Sequence, residues 1–288
     1  MVIPSYAKVN LFLQVLDKRP DNFHNINTLF ERINLRDKII IKKRPDKLIK
    51  ISCNHPGVPL DASNLCFKAA KLLQGQFRIK GGLDIRIIKR IPVAAGLGGG
   101  SGNAAGVLIA LNKLWKLRLT KAKLAKFASK IGSDVAFFIY EAPFASGRER
   151  GEKIRVLNKL NKLKLWHILV VPKIQVSTPL IYGKFDRFSG LTKPASNVKM
   201  LTSTLVGKHP LSKPGLLFNS LEQVTLKLYP EVRRVKDTLR AFGLRNIIVS
   251  GSGPAVFAVV PSGEKAAVLA EKIKSKRKPW QVYAVSTA

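Results

Sequence analysis

The stretch Pro92-Val93-Ala94-Ala95-Gly96-Leu97-Gly98-Gly99-Gly100-Ser101-Gly102-Asn103-Ala104-Ala105 constrains this chain more than any other. A strand pattern runs into it, since Leu83, Ile85 and Ile87 alternate with polar residues. A helix pattern runs out of it through Val107, Leu108, Leu111, Leu114 and Trp115. Glycines at 96, 98, 99 and 100 lose much chain entropy on ordering and add no packing. Such a loop makes sense where backbone takes a positive φ or approaches a ligand closely. At the mouth of a helix, its amides and the positive end of the macrodipole form an anion site suited to phosphates.

Better-known loops of this kind are excluded by single residues. A Walker loop needs Lys followed by Ser or Thr where this chain has Ser101-Gly102-Asn103. A dinucleotide fingerprint needs Gly or Ala where Ser101 stands, and an acidic residue further on, where this sequence is Lys-rich. The hydrolase elbow G-x-S-x-G fails because Gly99-Gly100-Ser101-Gly102 is followed by Asn103.

With 288 residues, 46% of them hydrophobic, the chain can bury a large core and is expected to fold as two domains. No apolar run is long enough for a bilayer span, and no charged n-region precedes an h-region at the start. A soluble, unexported, cytoplasmic protein with no membrane partner is expected. Cys53 and Cys66 make no disulfide framework, and His24, His55, His167 and His209 are scattered, so no metal site is expected from them. The 51 basic against 17 acidic residues would suit a nucleic-acid partner. Because the basic residues run along the whole length, the same charge also suits an enzyme drawing in polyanionic nucleotides. A basic, non-catalytic RNA-binding protein therefore stands as the alternative to an enzyme.

In chain order, 3–16 reads as a strand carrying Lys8 among small and apolar neighbours, where a solvent-facing edge position is the plain expectation. Asp21–Asn25 is a turn, strands follow over 28–33 and 38–43, and a helix opens at the capping Asn64. Beyond the glycine loop, Thr120 caps a helix that stops near Gly132. Asp134 follows, isolated in a basic region, with capping of a helix over 135–140 as its plain role. The pattern dissolves over 141–165, the candidate domain boundary. A strand at 165–171 leads to a loop at 176–179, and helical patterns cover 216–229 and 231–242. Strands joined by a tight turn at Gly251 and Gly253, a helix over 263–274 and a strand over 281–285 complete an α+β unit.

The glycine loop resembles the second motif of the GHMP kinases, a family with neither a Walker loop nor a protein-kinase signature. Ala7-Lys8-Val9-Asn10-Leu11, Asp21-Asn22-Phe23-His24, Ile131-Gly132-Ser133-Asp134-Val135 and Gly251-Ser252-Gly253 resemble further motifs of the family, so the likeness spans nearly the whole chain. Departures are Gly102 for a usual Ser, Ala136 for Pro, Asn22 for Gly and Phe23 for Tyr. The resemblance implies an α+β, two-domain GHMP kinase fold. Residues 1–155 would form a ribosomal-protein-S5-domain-2-like α/β domain that binds ATP, and residues 156–288 a ferredoxin-like α+β domain.

It implies a kinase using ATP and Mg2+ to phosphorylate the hydroxyl of a small-molecule substrate, a cytidine diphosphate conjugate, by positioning and charge stabilisation. No obligatory nucleic acid is expected, and the chain would be a monomer or homodimer; another small-molecule kinase of the family is the alternative. Asp134 would take the hydroxyl proton and Lys8 would offset developing charge. ATP would lie on Pro92, Val93, Ala94, Ala95, Gly96, Leu97, Gly98, Gly99, Gly100, Ser101 and Gly102, with Ser101 the one clear side chain for the magnesium. Asn10 and His24 would bond the cytosine edge, Phe23 and Tyr182 would stack on the base, and Thr178 with the Gly251 turn would close the cleft.

Overall fold

The computed structural model describes residues 1–187, 194–207, 215–276 and 278–288; His209 lies outside the described residues. The first half runs β1 (Val2–Lys18), β2 (His24–Arg44), β3 (Ile49–Cys53), α1 (Leu65–Gln76), β4 (Gly82–Ile88), α2 (Gly99–Leu114), α3 (Lys121–Ser129), α4 (Val135–Ile139), β5 (Phe144–Arg148) and β6 (Lys153–Val156). The second runs β7 (Trp166–Pro172), α5 (Thr178–Phe185), α6 (Val198–Val206), β8 (Phe218–Asn219), α7 (Glu222–Leu228), α8 (Pro230–Ala241), β9 (Ile247–Val249), β10 (Val256–Val260), α9 (Gly263–Lys274) and β11 (Trp280–Ser286).

β1 and β2 form one long antiparallel hairpin, from Val2 opposite Ile40 to Lys18 opposite His24. The sheet continues in the order β3-β4-β2-β1-β8, with β5 on β2 and β6 on β5. β1 is therefore an interior strand between β2 and β8, not an edge, and Lys8 is buried. A second sheet runs β11-β7-β10-β9. Ile39, Ile41, Leu83, Ile85 and Ile87 turn one face of the first sheet toward α1 and α2, whose Ala69, Leu73, Val107, Leu108 and Leu111 seal it. Where the two sheets meet, Val9, Leu11, Leu29 and Ile33 pack with Leu169, Phe257 and Val285. In this seam Glu31 and His167, both fully buried, are 2.9 Å apart, and Thr287 donates to Glu31 at 2.6 Å. This architecture, helices and two sheets together, is of the expected α+β class.

Several local expectations are corrected. The strands expected at 28–33 and 38–43 are one strand, continuous through Leu35-Arg36-Asp37 across a register shift against Tyr6 and Ala7, with Asp37 buried. Residues 141–165 are not patternless. They hold β5 and β6, where Gly147 leaves room for Phe30, whose ring a Cβ would meet at 2.7 Å. The loop expected at 176–179 ends inside α5, because Ser177 caps that helix and proline occupies its first turn. The helical pattern from 216 begins only at Glu222. Phe218 and Asn219 are instead drawn into pairing with Phe12 and Leu13, tertiary packing overriding local periodicity. β3 and α6 had no counterpart in the reading of the sequence.

Candidate active site

The glycine loop leaves β4 and enters α2 through Gly98, whose φ of 65° is left-handed. Gly96 is also left-handed, and a Cβ there would stand 2.2 Å from the Ser250 carbonyl oxygen. Glycine is therefore required by conformation and by close approach alike. The amides of Gly99, Gly100 and Ser101 precede the first intrahelical bond, donated by the Gly102 N–H to the Gly98 carbonyl at 2.8 Å. The loop is fastened from both halves of the molecule. The Lys8 N–H donates to Leu97 at 3.0 Å, the Ala255 N–H donates to Ala95 at 3.2 Å, and the Ser250 hydroxyl donates to Gly96 at 3.0 Å.

Two cavities lie on either side of this loop, sharing Gly96, Gly98 and Ser101 in their walls. The first, about 350 Å³, is lined by residues 92–101 with Asn64, Cys66 and Lys89. The second, about 720 Å³, is lined by Lys8, Asp134, His24, Phe23, Thr178 and Tyr182, with Asn10 and Ser252 also in its wall. Every residue expected to hold ATP lines the first cavity except Gly102. That residue faces β1, where a Cβ would meet the Tyr6 carbonyl at 2.7 Å and the Ser5 hydroxyl at 3.0 Å.

Lys8 and Asp134, far apart in sequence, meet at the seam of the two cavities. The ammonium is 3.5 Å from the Asp134 carboxylate and donates to Asn10 Oδ1 at 2.6 Å. Asn10 Nδ2 donates to Thr28 Oγ1 at 2.9 Å, and Thr28 donates to the Phe12 carbonyl at 2.7 Å, so the amide of Asn10 is fixed with its oxygen toward Lys8. Both ends of that amide are thus engaged within the protein. Asp134 stands at the N-cap of α4 yet makes no side-chain capping bond, and its side chain is 33% exposed. Its carboxylate remains open to the cavity.

Deeper in the second cavity, His24 Nε2 is 2.6 Å from Asp186, which also pairs with Lys18 at 2.8 Å. The Lys18 hydrogen bond, with help from His24, holds the Asp186 carboxyl below the usual carboxylate range. Tyr182 leans on the His24 ring at 5.3 Å between centroids, and burial pushes its phenol above the ordinary value. Phe23 stands at the mouth, half exposed, beneath the Arg150 guanidinium at 5.2 Å. Asn22 takes a left-handed φ of 63° in the turn before it, a conformation Asn tolerates, which accounts for its replacing Gly. Thr178 bonds Ser252 of the Gly251 turn at 2.7 Å.

The reading of the sequence missed a second lysine–aspartate pair. Asp37, 1% exposed, accepts from the Arg90 and Ile91 N–H groups at 2.7 and 2.8 Å, from Asn103 Nδ2 at 2.9 Å, and from Lys89. One carboxylate thus clamps the chain entering the glycine loop and the helix leaving it. Asp186 and Arg150 were missed as well, since neither belongs to a recognisable motif.

With this geometry in view, comparison with known proteins is direct. Residues 64–142 match the GHMP kinases N terminal domain and residues 208–278 the GHMP kinases C terminal domain. The chain belongs to the GHMP kinases, which are ATP-dependent phosphotransferases. Its place among them is with the 4-diphosphocytidyl-2-C-methyl-D-erythritol kinases of isoprenoid precursor synthesis. It is 40% identical to that kinase of Bacillus velezensis over 254 residues, covering 88% of this chain and 86% of the relative. With that of Geobacillus sp. it shares 42% identity over 262 residues, covering 90% and 88%. A crystal structure of 4-(cytidine 5'-diphospho)-2C-methyl-D-erythritol kinase superposes with a TM-score of 0.82 at 30% identity over the whole of both chains. The mevalonate kinase of Methanococcus jannaschii, at 17% identity and a TM-score of 0.73 over 100% and 98% of the two chains, shares the fold.

Proposed function

We propose that the chain moves the γ-phosphate of ATP to the 2-hydroxyl of 4-diphosphocytidyl-2-C-methyl-D-erythritol, with Lys8 and Asp134 as the groups at the reacting oxygen. The observation that carries this reading is their meeting, 3.5 Å apart, at the seam where the two cavities share Gly96, Gly98 and Ser101. ATP occupies the first cavity, its phosphates against the free amides of residues 99–101, and the acceptor occupies the second. Asp134 accepts the hydroxyl proton as the new O–P bond forms, and the bond from the γ-phosphorus to the bridging oxygen breaks to release ADP. Lys8, held by Asn10, offsets negative charge on the transferring group. The ring stack of His24 and Tyr182 offers an aromatic bed for the cytosine, and Asp186 orients the His24 ring. Thr178 and Ser252 join α5 to the Gly251 turn across the cavity rim, limiting water as a competing acceptor.

Magnesium fits this donor set only as a companion of the nucleotide. Among the described residues no cluster of three or more His, Cys, Asp or Glu could hold a metal ion, which leaves Ser101 and Asp134 as oxygen donors beside the phosphates. When bound with ATP it neutralises the β- and γ-phosphates. We also read residues 1–155 and 156–288 as the two domains, with β8 a strand that the second lends to the first sheet. The reading carries with it a cytoplasmic enzyme, monomeric or dimeric. No described helix is long and apolar enough to cross a membrane.

The test is ADP release from ATP and magnesium over a panel of acceptors. Turnover with the cytidylyl substrate alone is expected; turnover of homoserine or mevalonate in its place would overturn the substrate assignment.

A further inference from the structure

The first sheet has two unlike faces. Odd-numbered residues of β3, β4 and β2 from 37 to 41 face α1 and α2, whereas the even-numbered set, Lys38, Ile40, Lys42, Lys50, Arg86 and Ile88, faces away from the helices with every cation exposed. The registers gather these cations. Arg86 lies opposite Ile40 on β2 and Ser52 on β3, so its diagonal neighbours on the same face are Lys38 and Lys42 to one side and Lys50 to the other. Diagonal neighbours stand about 7–8 Å apart. The acid in their midst, Asp84, is already taken by Arg44 at 2.9 and 3.0 Å. Among the described residues, none of the four cations has an ion-pair partner within 4.0 Å.

The contrast with the helices of the second half is informative. There Arg234 pairs with Glu231, Arg240 with Asp237 and Lys274 with Glu271, each one turn apart. On those helices cations are interleaved with acids, while on the sheet face four stand near one another without an ion pair. Asp84 stands directly opposite Lys42 and Lys50, so cations outnumber acids on this face without acids being absent, and the excess is relieved by a polyanion whose charges repeat at a similar spacing. We infer that this face, Lys38, Lys42, Lys50 and Arg86, binds the backbone of single-stranded RNA, independently of the phosphate-transfer site. Ile40 and Ile88 between the cations are half-buried in the pleat, and Val2, opposite Ile40, is exposed, a single small apolar side chain set among charges. The face lacks base-stacking rings at its centre. The contact is therefore with phosphates and indifferent to sequence.

The test measures binding of a fluorescent twenty-nucleotide oligouridylate by anisotropy across a salt series. The full-length protein is compared with Lys38→Gln/Lys42→Gln/Lys50→Gln/Arg86→Gln. A charge-matched control, Lys116→Gln/Lys159→Gln/Lys162→Gln/Lys265→Gln, removes four exposed lysines elsewhere. The face variant is expected to lose more than about tenfold in affinity. Its slope of log K against log salt should become shallower by about 3, at ~0.7 for each phosphate no longer neutralised. The control should lose less than about threefold, and all proteins should release ADP at the same rate. Should the fourfold variant not fold, Lys42→Gln/Arg86→Gln is read in the same way against Lys116→Gln/Lys162→Gln. Equal losses in face and control variants would overturn the inference, leaving only a general positive field. So would a face variant that keeps RNA but loses phosphatidylserine vesicles.

Discussion

On one side of the glycine loop Lys8 and Asp134 stand 3.5 Å apart, the carboxylate a third exposed and free of capping bonds. On the other, Asp37 is sealed from solvent and accepts from Lys89, Asn103 and two backbone amides. The same two residue types do opposite work because their lone pairs are differently committed. A carboxylate with vacant lone pairs facing a cavity can take a proton. One saturated by buried donors is held in place, and holds its donors in return. The residue pair alone is therefore no sign of catalysis; what matters is how much of the carboxylate is left over.

The widest effect should come from Asp134→Asn, which ought to lower kcat by about 10²–10⁴-fold, the range for losing a general base, with a much smaller change in the unfolding midpoint. A variant that kept most of its turnover would put the two pairs in one class and end the contrast. Asp37→Asn should act the other way, leaving Lys89 a buried, unpaired cation. We expect about 3–5 kcal/mol lost in urea unfolding, with ATP binding weakened before binding of the cytidylyl substrate. Equal weakening of both ligands would show that Asp37 is not a clamp on the loop.

Gly102→Ser tests the packed side of the helix start. A Cβ 2.7 Å from the Tyr6 carbonyl forces a shift, expected to destabilise by about 1–3 kcal/mol without a specific weakening of phosphate binding. Unchanged stability with tighter ATP binding would mean that position 102 does reach the nucleotide. The smallest effect concerns Cys66, in the wall of the first cavity, whose thiol burial pushes up to about 12. Iodoacetamide near pH 8.5 should modify the half-buried Cys53 and spare Cys66 until the chain is unfolded. As pH rises from the ordinary thiol range toward 12, the unfolded chain loses this proton first, so stability should fall there, and Cys66→Ala should flatten that limb of the melting curve.

Much of this site was legible in the residues themselves. The glycine loop declares its place between strand and helix, and resemblance assigned Lys8 and Asp134 before any contact between them was known. Asp37 escaped because the strand carrying it was split in two. Taken as one strand, Asp37 falls on the parity of Ile39 and Ile41, and a carboxylate on the inward parity is a signal in its own right. Gly102 misled for the opposite reason: motif membership says nothing of direction, and in the first turn of a helix the next residue faces another way. Asp186 and Arg150 could not be found from sequence at all, since their meaning arises only when α5 and the turn after β5 reach the hairpin of β1 and β2.

The bonds from Ala255 and Ser250 to Ala95 and Gly96 have one more consequence. The shape of the glycine loop is a joint product of two stretches more than a hundred residues apart, so the first half expressed by itself would carry the motif without its grip. Swapping one half for that of a relative should succeed only where these seam contacts are transplanted together, which makes the molecule a poor modular part and a good subject for split-protein complementation.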